Sequence, residues 1–362
     1  MKHIALAHIT RIFFGLLTAC TLWLAGSQSA QAQDVVCSNF NMPGSINFGS
    51  FTPFDSAPAT SGQLSFECYN TNSGLFGIGT SIYAAACFNY GLGSAGGSAI
   101  SRNMTNTGAT TGGQLQYQIY RGANATWGSR AVTSTTAAEV VLELPVKCIF
   151  CDYIRRTGLI NYTANVAASQ QYVLPGDYQS NFSGTNAEIV IVTSNNPNVT
   201  CQGTGASSSN VSFTPKTLAF SVNAKVLPRC NLDVAGSLMN FGSIDPLSAG
   251  PFDASTNIRT RCTNKTNYQI ALEPSGTPTP TSGVGTLRSS FTVASNPDTY
   301  LTYGLFKDTA RTQPWGNIQN GNTVSRQGTG DFESSIPVYG RITNGNVRPG
   351  NYSDTVVVKI TY

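Results

Sequence analysis

The sequence predicts an all-β protein in which two homologous domains each form a β-sandwich. The first observation is an internal repeat, because Asn47-Phe48-Gly49-Ser50 returns later as Asn240-Phe241-Gly242-Ser243. The second is the alternation of side chains between Val356 and Tyr362, which has the period of a strand with one buried face. The third is the set of 36 glycines, which together with Pro, Asn and Ser clusters separates short strands. This combination favours immunoglobulin-like sandwiches.

The repeat runs through both halves of the chain and indicates where one domain ends. We predict a first domain over residues 33–227 and a second over residues 228–362. Because two tryptophans occupy matching positions, both are predicted to be core residues. Six matches occur in the same order: Cys37 and Cys68 with Cys230 and Cys262, Asn47–Ser50 with Asn240–Ser243, Leu115–Arg121 with Leu301–Lys307, Trp127-Gly128 with Trp315-Gly316, Leu144–Val146 with Ile336–Val338, and Pro175–Tyr178 with Pro349–Tyr352.

Residues 1–32 are predicted to be a secretory signal peptide. Basic residues precede the apolar stretch Ile12–Ala25, which is too short for a comfortable membrane span. Ala30-Gln31-Ala32 has the small residues of a cleavage site, so the mature chain is expected to begin at Gln33. An uncleaved N-terminal anchor is the alternative.

Composition and charge exclude several classes of function. Charged residues make up only 10% of the chain, against about a quarter in ordinary soluble domains. The signal peptide holds both histidines and two basic residues, so the mature chain has no histidine and a net charge of +4 − 2 = +2. We therefore expect no histidine-dependent catalysis, no metal, no cofactor and no nucleic acid as partner. A glycosidase pair remains an alternative among the scattered carboxylates Glu139, Glu143, Asp152 and Asp177.

The mature chain has eight cysteines, an even number that suggests disulfides in an exported protein. The repeat predicts Cys37–Cys68 and Cys230–Cys262 as equivalent bridges. Four further cysteines belong to the first domain alone and allow three pairings. Within this set, the Cys-x-x-Cys spacing permits a redox or zinc motif, although a structural bridge is favoured. The four are Cys87, Cys148, Cys151 and Cys201.

The order of these motifs resembles the spore coat protein U (secreted pilin) domain family, whose members are subunits of archaic chaperone–usher pili. The resemblance is strong over Cys230–Tyr362 and weaker over Cys37–Val192. It implies an immunoglobulin-like fold that lacks its last strand. It also implies three partners, namely a periplasmic chaperone, an outer-membrane usher and an adjacent pilus subunit whose strand replaces that of the chaperone. The location implied is the cell surface, reached through the periplasm.

Two segments are expected to take part in this strand exchange. The sequence stops after an apolar strand, so the second domain is expected to present an open groove, although an ordinary sheet edge is the alternative. A second alternating run precedes Cys230 and is predicted to be the first domain's own final strand, over residues 217–227. Since only Gln33–Val36 precede Cys37, no leading donor strand is expected, which favours a position at the pilus tip. The groove residues are Val356, Val358, Ile360 and Tyr362, and the donor residues are Leu218, Phe220, Val222, Ala224 and Val226.

Two segments of the first domain are candidates for adhesion. The loop Asn72–Thr80 is expected at the end remote from the second domain, with Leu75, Phe76 and Ile78 among glycines. These side chains are either exposed or folded back onto the domain. The insertion Cys148–Leu174 is expected at the opposite end, beside the second domain, where it could brace the two. It offers Ile149, Phe150 and Tyr153 as secondary candidates.

Together these patterns predict a tip adhesin for attachment to abiotic or host surfaces and for biofilm formation. The resemblance to Csu-type tip adhesins implies apolar finger loops that bind abiotic surfaces. A carbohydrate-binding, lectin-like tip and an ordinary structural pilin are the alternatives.

Overall fold

A computed structural model describes residues 34–108, 113–122, 125–129, 137–201, 216–275, 280–290, 299–330 and 334–362. The predicted signal peptide over residues 1–32 and its cleavage site lie outside these described residues. Within them the chain is nearly all β, and its helices are three short 3-10 turns, Leu75–Gly77, Gly184–Asn186 and Pro280–Ser282. The predicted fold class is thereby confirmed. No helix among the described residues has the length and apolar character needed to cross a membrane.

Twenty-five strands fall into two groups that share no sheet, because no ladder joins a strand before residue 227 to one after it in the described parts of the chain. We call the first group the N-terminal sandwich. Its strands are β1 (Val35–Asn41), β2 (Ser45–Phe51), β3 (Ala59–Asn70), β4 (Ser73–Gly74), β5 (Ile82–Tyr90), β6 (Gly97–Ser98), β7 (Ser101–Asn106), β8 (Gln114–Arg121), β9 (Ala125–Thr126), β10 (Ala138–Leu144), β11 (Lys147–Cys148), β12 (Arg156–Val166), β13 (Gly176–Phe182), β14 (Ala187–Ser194), β15 (Lys216–Thr217) and β16 (Phe220–Val226).

The second group is the C-terminal sandwich. Its strands are β17 (Cys230–Asp233), β18 (Phe252–Cys262), β19 (Asn267–Pro274), β20 (Val284–Ser289), β21 (Tyr300–Phe306), β22 (Val324–Gln327), β23 (Ser334–Ile342), β24 (Tyr352–Ser353) and β25 (Val356–Thr361).

Each sandwich packs two main sheets face to face. In the N-terminal one, the order β1-β3-β12-β8-β7-β13-β16-β2 covers the sheet β10-β5-β14-β15. In the C-terminal one, the order β17-β18-β23-β21-β20-β24 covers the sheet β22-β19-β25. The difference that matters for the site is that β16 lies between β13 and β2, whereas no described strand lies beside β24 on its other edge.

Matching residues build matching cores, so the internal repeat is a repeat of structure. Trp127 and Trp315 are both fully buried. Their indole N–H groups donate to the carbonyl oxygens of Phe88 and Ile270, at 2.8 and 2.9 Å. The prediction that both tryptophans are core residues is therefore confirmed.

Four disulfides connect the eight described cysteines in pairs. The bridges Cys37–Cys68 and Cys230–Cys262 join equivalent antiparallel pairs of strands, β1 with β3 and β17 with β18, as the repeat predicts. The pairing left open by the sequence is Cys87–Cys201 and Cys148–Cys151. Cys87–Cys201 lies on the outer face of β5 and β14, where it belongs to a small apolar cluster with Val190 and Val192.

The two sandwiches meet at the end where β2 and β16 finish. Arg229 lies between them and pairs with Asp55 at 2.9 Å. The guanidinium of Arg261 lies 4.3 Å from the ring centroid of Phe54. Because β3 begins near this junction and ends at Asn70, the loop after β3 lies at the opposite end of the N-terminal sandwich.

Candidate functional site

The loop Asn72–Thr80 presents apolar side chains to solvent at the end opposite the junction. The short helix Leu75–Gly77 in this loop has no buried residue. Phe76 has a φ of +57°, which bulky residues rarely adopt. A Cβ on Gly74 would lie 2.1 Å from the carbonyl oxygen of Ile78, so the close approach of these two segments requires glycine. This tight backbone directs the apolar side chains away from the core.

A second apolar segment lies directly beside this loop. β11 pairs in parallel with β4, which brings the Cys148–Cys151 bridge next to Gly77. The backbone N–H of Cys151 donates to the carbonyl oxygen of Cys148 at 3.2 Å, so the four residues form a tight turn. Ile149 and Phe150 occupy this turn and are exposed.

The predicted position of Cys148–Leu174 beside the second domain is therefore wrong for the start of this segment. β12 carries the segment along the whole sandwich, from the loop end to the junction end. Only its last part reaches the C-terminal sandwich, where Asn264 Nδ2 donates to the carbonyl oxygen of Tyr172 at 2.6 Å. The error arose because the β4–β11 ladder joins segments that are far apart in sequence, and such a contact leaves no local pattern.

The two segments together form one surface, which we call the apolar tip. It consists of five large side chains that lie outside both main core clusters of the described residues. Phe150 is almost fully exposed, and even the least exposed member is about half accessible. The exposed fractions are 66% for Leu75, 86% for Phe76, 78% for Ile78, 48% for Ile149 and 98% for Phe150.

Tyr153, the sixth predicted adhesion residue, supports the apolar tip rather than extending it. Its ring lies 4.5 Å from the ring of Tyr69. The ammonium of Lys147 lies 4.0 Å from the Tyr153 ring centroid, and the guanidinium of Arg155 lies 4.8 Å from that of Tyr69. Such cation–π contacts stabilise exposed aromatic rings by about 0.5–1 kcal/mol each, so this cluster holds the start of β12 in place.

The described residues contain no assembled site for the alternatives that the sequence left open, a zinc or redox motif and a glycosidase pair. No group of three or more metal-ligating side chains occurs there. Cys148 and Cys151 are bonded to each other. Glu139 accepts the backbone N–H of Cys201 at 2.7 Å, and Asp177 lies 3.7 Å from Lys225, so these two carboxylates serve different local structures.

The C-terminal sandwich contains a groove that opens along β24 and the start of β25. Two adjoining cavities of about 300 and 580 Å³ form it. One wall is the chain from Gly350 to Val358, and the opposite wall is the irregular segment from Leu238 to Ile244. The residues that line both cavities are Leu238, Met239, Phe241, Leu287 and Asp354.

The wall of the groove has the alternation that the sequence predicted, but over a different stretch. Tyr352, Asp354, Val356 and Val358 face inward and are only half-buried. Val356 and Val358 line the groove, where the sequence analysis placed them. Ile360 and Tyr362 do not, which corrects that part of the prediction: Ile360 packs against the core beyond the groove, and Tyr362 is exposed.

In the N-terminal sandwich the chain itself fills the corresponding position. β16 pairs antiparallel with β13 and parallel with β2, so it lies between them. The inward-facing side chains Phe220, Val222, Ala224 and Val226 are all buried, and Leu218 packs against the same core. These five are the predicted donor residues.

The predicted strand over residues 217–227 is divided in two by the structure. Lys216–Thr217 pairs with β14, whereas Phe220–Val226 pairs with β13 and β2. The break occurs because β13 and β14 belong to different sheets, and the chain crosses from one to the other at 218–219.

Equivalent residues lie at the groove of the C-terminal sandwich and at the position of β16 in the N-terminal sandwich. Phe48 and Phe241 lie 6.1 and 6.4 Å from Tyr117 and Tyr303 respectively, measured between ring centroids.

The hydroxyl of Tyr303 donates to Asp354 Oδ2 at 2.7 Å. Burial, reinforced by the hydrogen bond and charge of Asp354, raises the pKa of Tyr303 above its ordinary value, so the hydroxyl keeps its proton at neutral pH.

Sequence reasoning missed the second wall of the groove and Asp354. The repeated Asn-Phe-Gly-Ser motif was the available signal, because in the N-terminal sandwich it lies in β2, the strand that pairs with β16. Both copies form the same turn, in which the backbone N–H of the glycine (Gly49 or Gly242) donates to the side-chain oxygen of the asparagine two residues earlier, at 2.8 Å. The motif therefore marks the acceptor wall in each half.

The described residues therefore form two immunoglobulin-like sandwiches, one completed by its own chain and one open along an edge. The family model described as the Spore Coat Protein U domain matches residues 19–185 and 216–359. The chain belongs to the Spore Coat Protein U domain family, which confirms the predicted resemblance.

The chain is also similar to individual proteins. Protein U of Myxococcus xanthus is 31% identical over 170 residues, covering 43% of this chain and 93% of that protein. The crystal structure of the CsuC–CsuE chaperone–tip adhesion subunit pre-assembly complex from archaic chaperone–usher Csu pili of Acinetobacter baumannii contains a similar chain. It is 17% identical with a TM-score of 0.46, covering 90% of this chain and 100% of that one. A chain of a chaperone–tip adhesin complex, described as vital for synergistic activation of CFA/I fimbriae biogenesis, is 12% identical with a TM-score of 0.31, covering 90% of this chain and 98% of that one.

Proposed function

We propose that this protein is the tip adhesin of an archaic chaperone–usher pilus and attaches cells to abiotic or host surfaces, the first step of biofilm formation. The observation that carries the proposal is the placement of two features at opposite ends of the chain's fold. The apolar tip lies at the far end of the N-terminal sandwich, and the open groove lies in the C-terminal sandwich. We assign residues 1–32 to a signal peptide, 33–227 to an adhesin domain and 228–362 to a pilin domain.

The groove is the proposed point of assembly. An unpaired edge lined by apolar side chains associates with any strand that satisfies its backbone groups. In the periplasm a chaperone would supply this strand, and at the outer-membrane usher a neighbouring subunit would replace it. The N-terminal sandwich needs no such partner, because β16 already occupies the equivalent position.

This arrangement supports a position at the end of the fibre. The C-terminal sandwich has the open groove and would join the neighbouring subunit. The N-terminal sandwich has its groove filled from within and would extend away from the fibre. Its apolar tip would then be the outermost part of the pilus at the cell surface.

The chemistry of the tip suits an apolar surface. Moving a large apolar side chain from water onto such a surface is worth about 1.5–3 kcal/mol. Phe76 and Phe150, the two most exposed members, would together contribute about 3–6 kcal/mol. Many pili on one cell multiply this modest single-site affinity through avidity.

The test compares a tip variant with a matched control in the purified full chain. Phe76→Ser combined with Phe150→Ser is expected to weaken binding to polystyrene beads at least about 100-fold, since about 3 kcal/mol is lost. Leu247→Ser is the control, because Leu247 is 94% exposed but lies in the C-terminal sandwich. Retention by the control should equal that of the unchanged chain.

The same variants on a glycan array separate the lectin-like alternative. Glycan binding that survives the double substitution, together with unchanged retention on polystyrene, would overturn the assignment of the apolar tip. Loss on polystyrene alone would support it.

A further inference from the structure

In the N-terminal sandwich, the first inward-facing residue of β16 packs among aromatic rings. The ring of Phe220 stacks on that of Phe182 and lies against that of Tyr90. Trp127 connects the cluster, since its ring centroid lies 4.4 Å from that of Tyr90 and 6.5 Å from that of Tyr162. Tyr90, Tyr162 and Phe182 therefore form an aromatic lining around the place that the donor ring occupies.

Two members of this lining have aliphatic equivalents in the C-terminal sandwich. Tyr90 and Leu272 correspond, because each backbone N–H donates to the carbonyl oxygen of the glycine that follows the buried tryptophan, at 3.0 and 3.1 Å. Phe182 and Val356 correspond, because each lies four residues after a tyrosine whose hydroxyl donates to the carbonyl oxygen four residues earlier. Both changes replace a ring by a smaller side chain.

The third member of the lining is replaced in the same way. Ile119 and Leu305 are equivalent, because each accepts the backbone N–H of the buried tryptophan, at 2.9 and 2.8 Å. Tyr162 and Val338 each lie two residues before the ladder partner of these residues, on the same face of the strand. The C-terminal sandwich therefore lacks all three rings of the lining.

The smaller residues border a cavity that an entering strand would cover. Leu272, Val338 and Val356 all line the cavity of about 300 Å³. An apolar cavity of about 150 Å³ is enough to hold a benzene ring. In the filled groove Phe220 lies directly opposite Phe182, so a strand in the same register would direct the equivalent side chain into this cavity, opposite Val356.

We propose that the groove of the C-terminal sandwich selects a donor strand with a bulky aromatic residue, tryptophan above phenylalanine, at the position that Phe220 occupies in the N-terminal sandwich. This inference rests on the proposed function, because it presumes that the groove receives a strand. A valine there would leave the aliphatic lining without contacts on one side, which forfeits dispersion energy. A tryptophan supplies the ring that the lining lacks and buries more apolar surface.

The probes are labelled peptides with the sequence of residues 216–227, unchanged or with Phe220→Trp or Phe220→Val. Each is titrated against the purified full chain by fluorescence anisotropy, and hydrogen exchange locates the peptide on residues 350–358. Affinity is expected to fall about 10-fold from tryptophan to phenylalanine and about 10-fold again to valine. A peptide with Ser221→Trp is the matched control, because neighbouring residues of a strand face opposite sides. It should bind like the unchanged peptide.

Variants of the wall complete the experiment. Val356→Phe returns a ring to the lining and should remove the preference for tryptophan over phenylalanine. Val356→Leu fills less of the cavity and serves if the first variant unfolds; it should reduce the preference.

The outcomes separate this inference from the proposed function. A tryptophan peptide that binds no more tightly than the unchanged one, equal tightening by Ser221→Trp, or a preference that survives Val356→Phe would overturn the inference and leave the groove as the assembly site. Absence of binding and of protection at residues 350–358 for every peptide would instead refute the proposed function of the groove.

Discussion

Truncation of Phe220 in β16 is expected to destabilise the N-terminal sandwich and leave the C-terminal one unchanged. The Phe220 ring stacks on Phe182, with centroids 4.6 Å apart and planes 8° from parallel, and lies 4.9 Å from the ring of Tyr90. Replacement of a buried phenylalanine by alanine costs about 3–5 kcal/mol. With a urea dependence of about 2 kcal/mol per molar, Phe220→Ala should lower the midpoint of unfolding by about 2 M.

The two buried tryptophans allow each sandwich to be followed separately. In a chain that begins at Gln33, and so lacks Trp23, a Trp315→Phe background makes fluorescence report the surroundings of Trp127. The reciprocal Trp127→Phe background reports the other sandwich. The shift should appear only in the transition reported by Trp127. Ser221→Ala, on the opposite face of β16, is the control and should change the free energy of unfolding by no more than about 0.5 kcal/mol.

Two results would refute this reasoning. A loss below about 1 kcal/mol for Phe220→Ala would mean that β16 is not part of the cooperative core. An equal shift in both transitions would mean that the sandwiches unfold as one unit, so the proposed division at residues 227 and 228 would be wrong.

The remaining predictions concern the bridges and an ion pair. Loss of Cys87–Cys201, which has a sequence separation of 114, should lower the free energy of unfolding by about 5 kcal/mol. Loss of Cys148–Cys151, which has a separation of 3, should lower it by about 2 kcal/mol. Equal losses on urea denaturation of the two serine variants would contradict this prediction. The hydrogen bond from Arg341, together with nearby arginine charges, holds the pKa of Asp253 below its usual range. The stability that ionised Asp253 adds to the fold is therefore present at neutral pH and lost as pH falls below about 4. Asp253→Asn should lower the urea midpoint at pH 7 and have little effect near pH 2, whereas a pH-independent difference would refute the assignment.

Much of the fold could be predicted because its signals are local or repeated. The alternation of β25 and the equivalence of Cys37–Cys68 with Cys230–Cys262 needed only the sequence, since strand period and spacing are properties of single segments. The apolar residues of Asn72–Thr80 were identified by their position among glycines, where no periodic core role existed.

The site was only partly predictable because two of its parts depend on contacts between distant segments. The Cys148–Cys151 turn joins the apolar tip through the ladder between β4 and β11. The groove needs a second wall from the segment 238–244, which carries no strand pattern of its own. Asp354 gave no signal in sequence because its significance depends on facing the groove.

The sequence by itself determined the class of fold, the repeat of two sandwiches and the two equivalent bridges. Period-2 alternation and matched cysteine spacings are properties of the sequence that need no tertiary contact to be recognised. Only the tertiary structure decided which loops combine into the apolar tip and which groove stays open. The physical reason is that both depend on edges: a strand edge is paired or open according to what lies beside it, and β16 lies beside β13, whereas no described strand lies beside β24 on its groove edge.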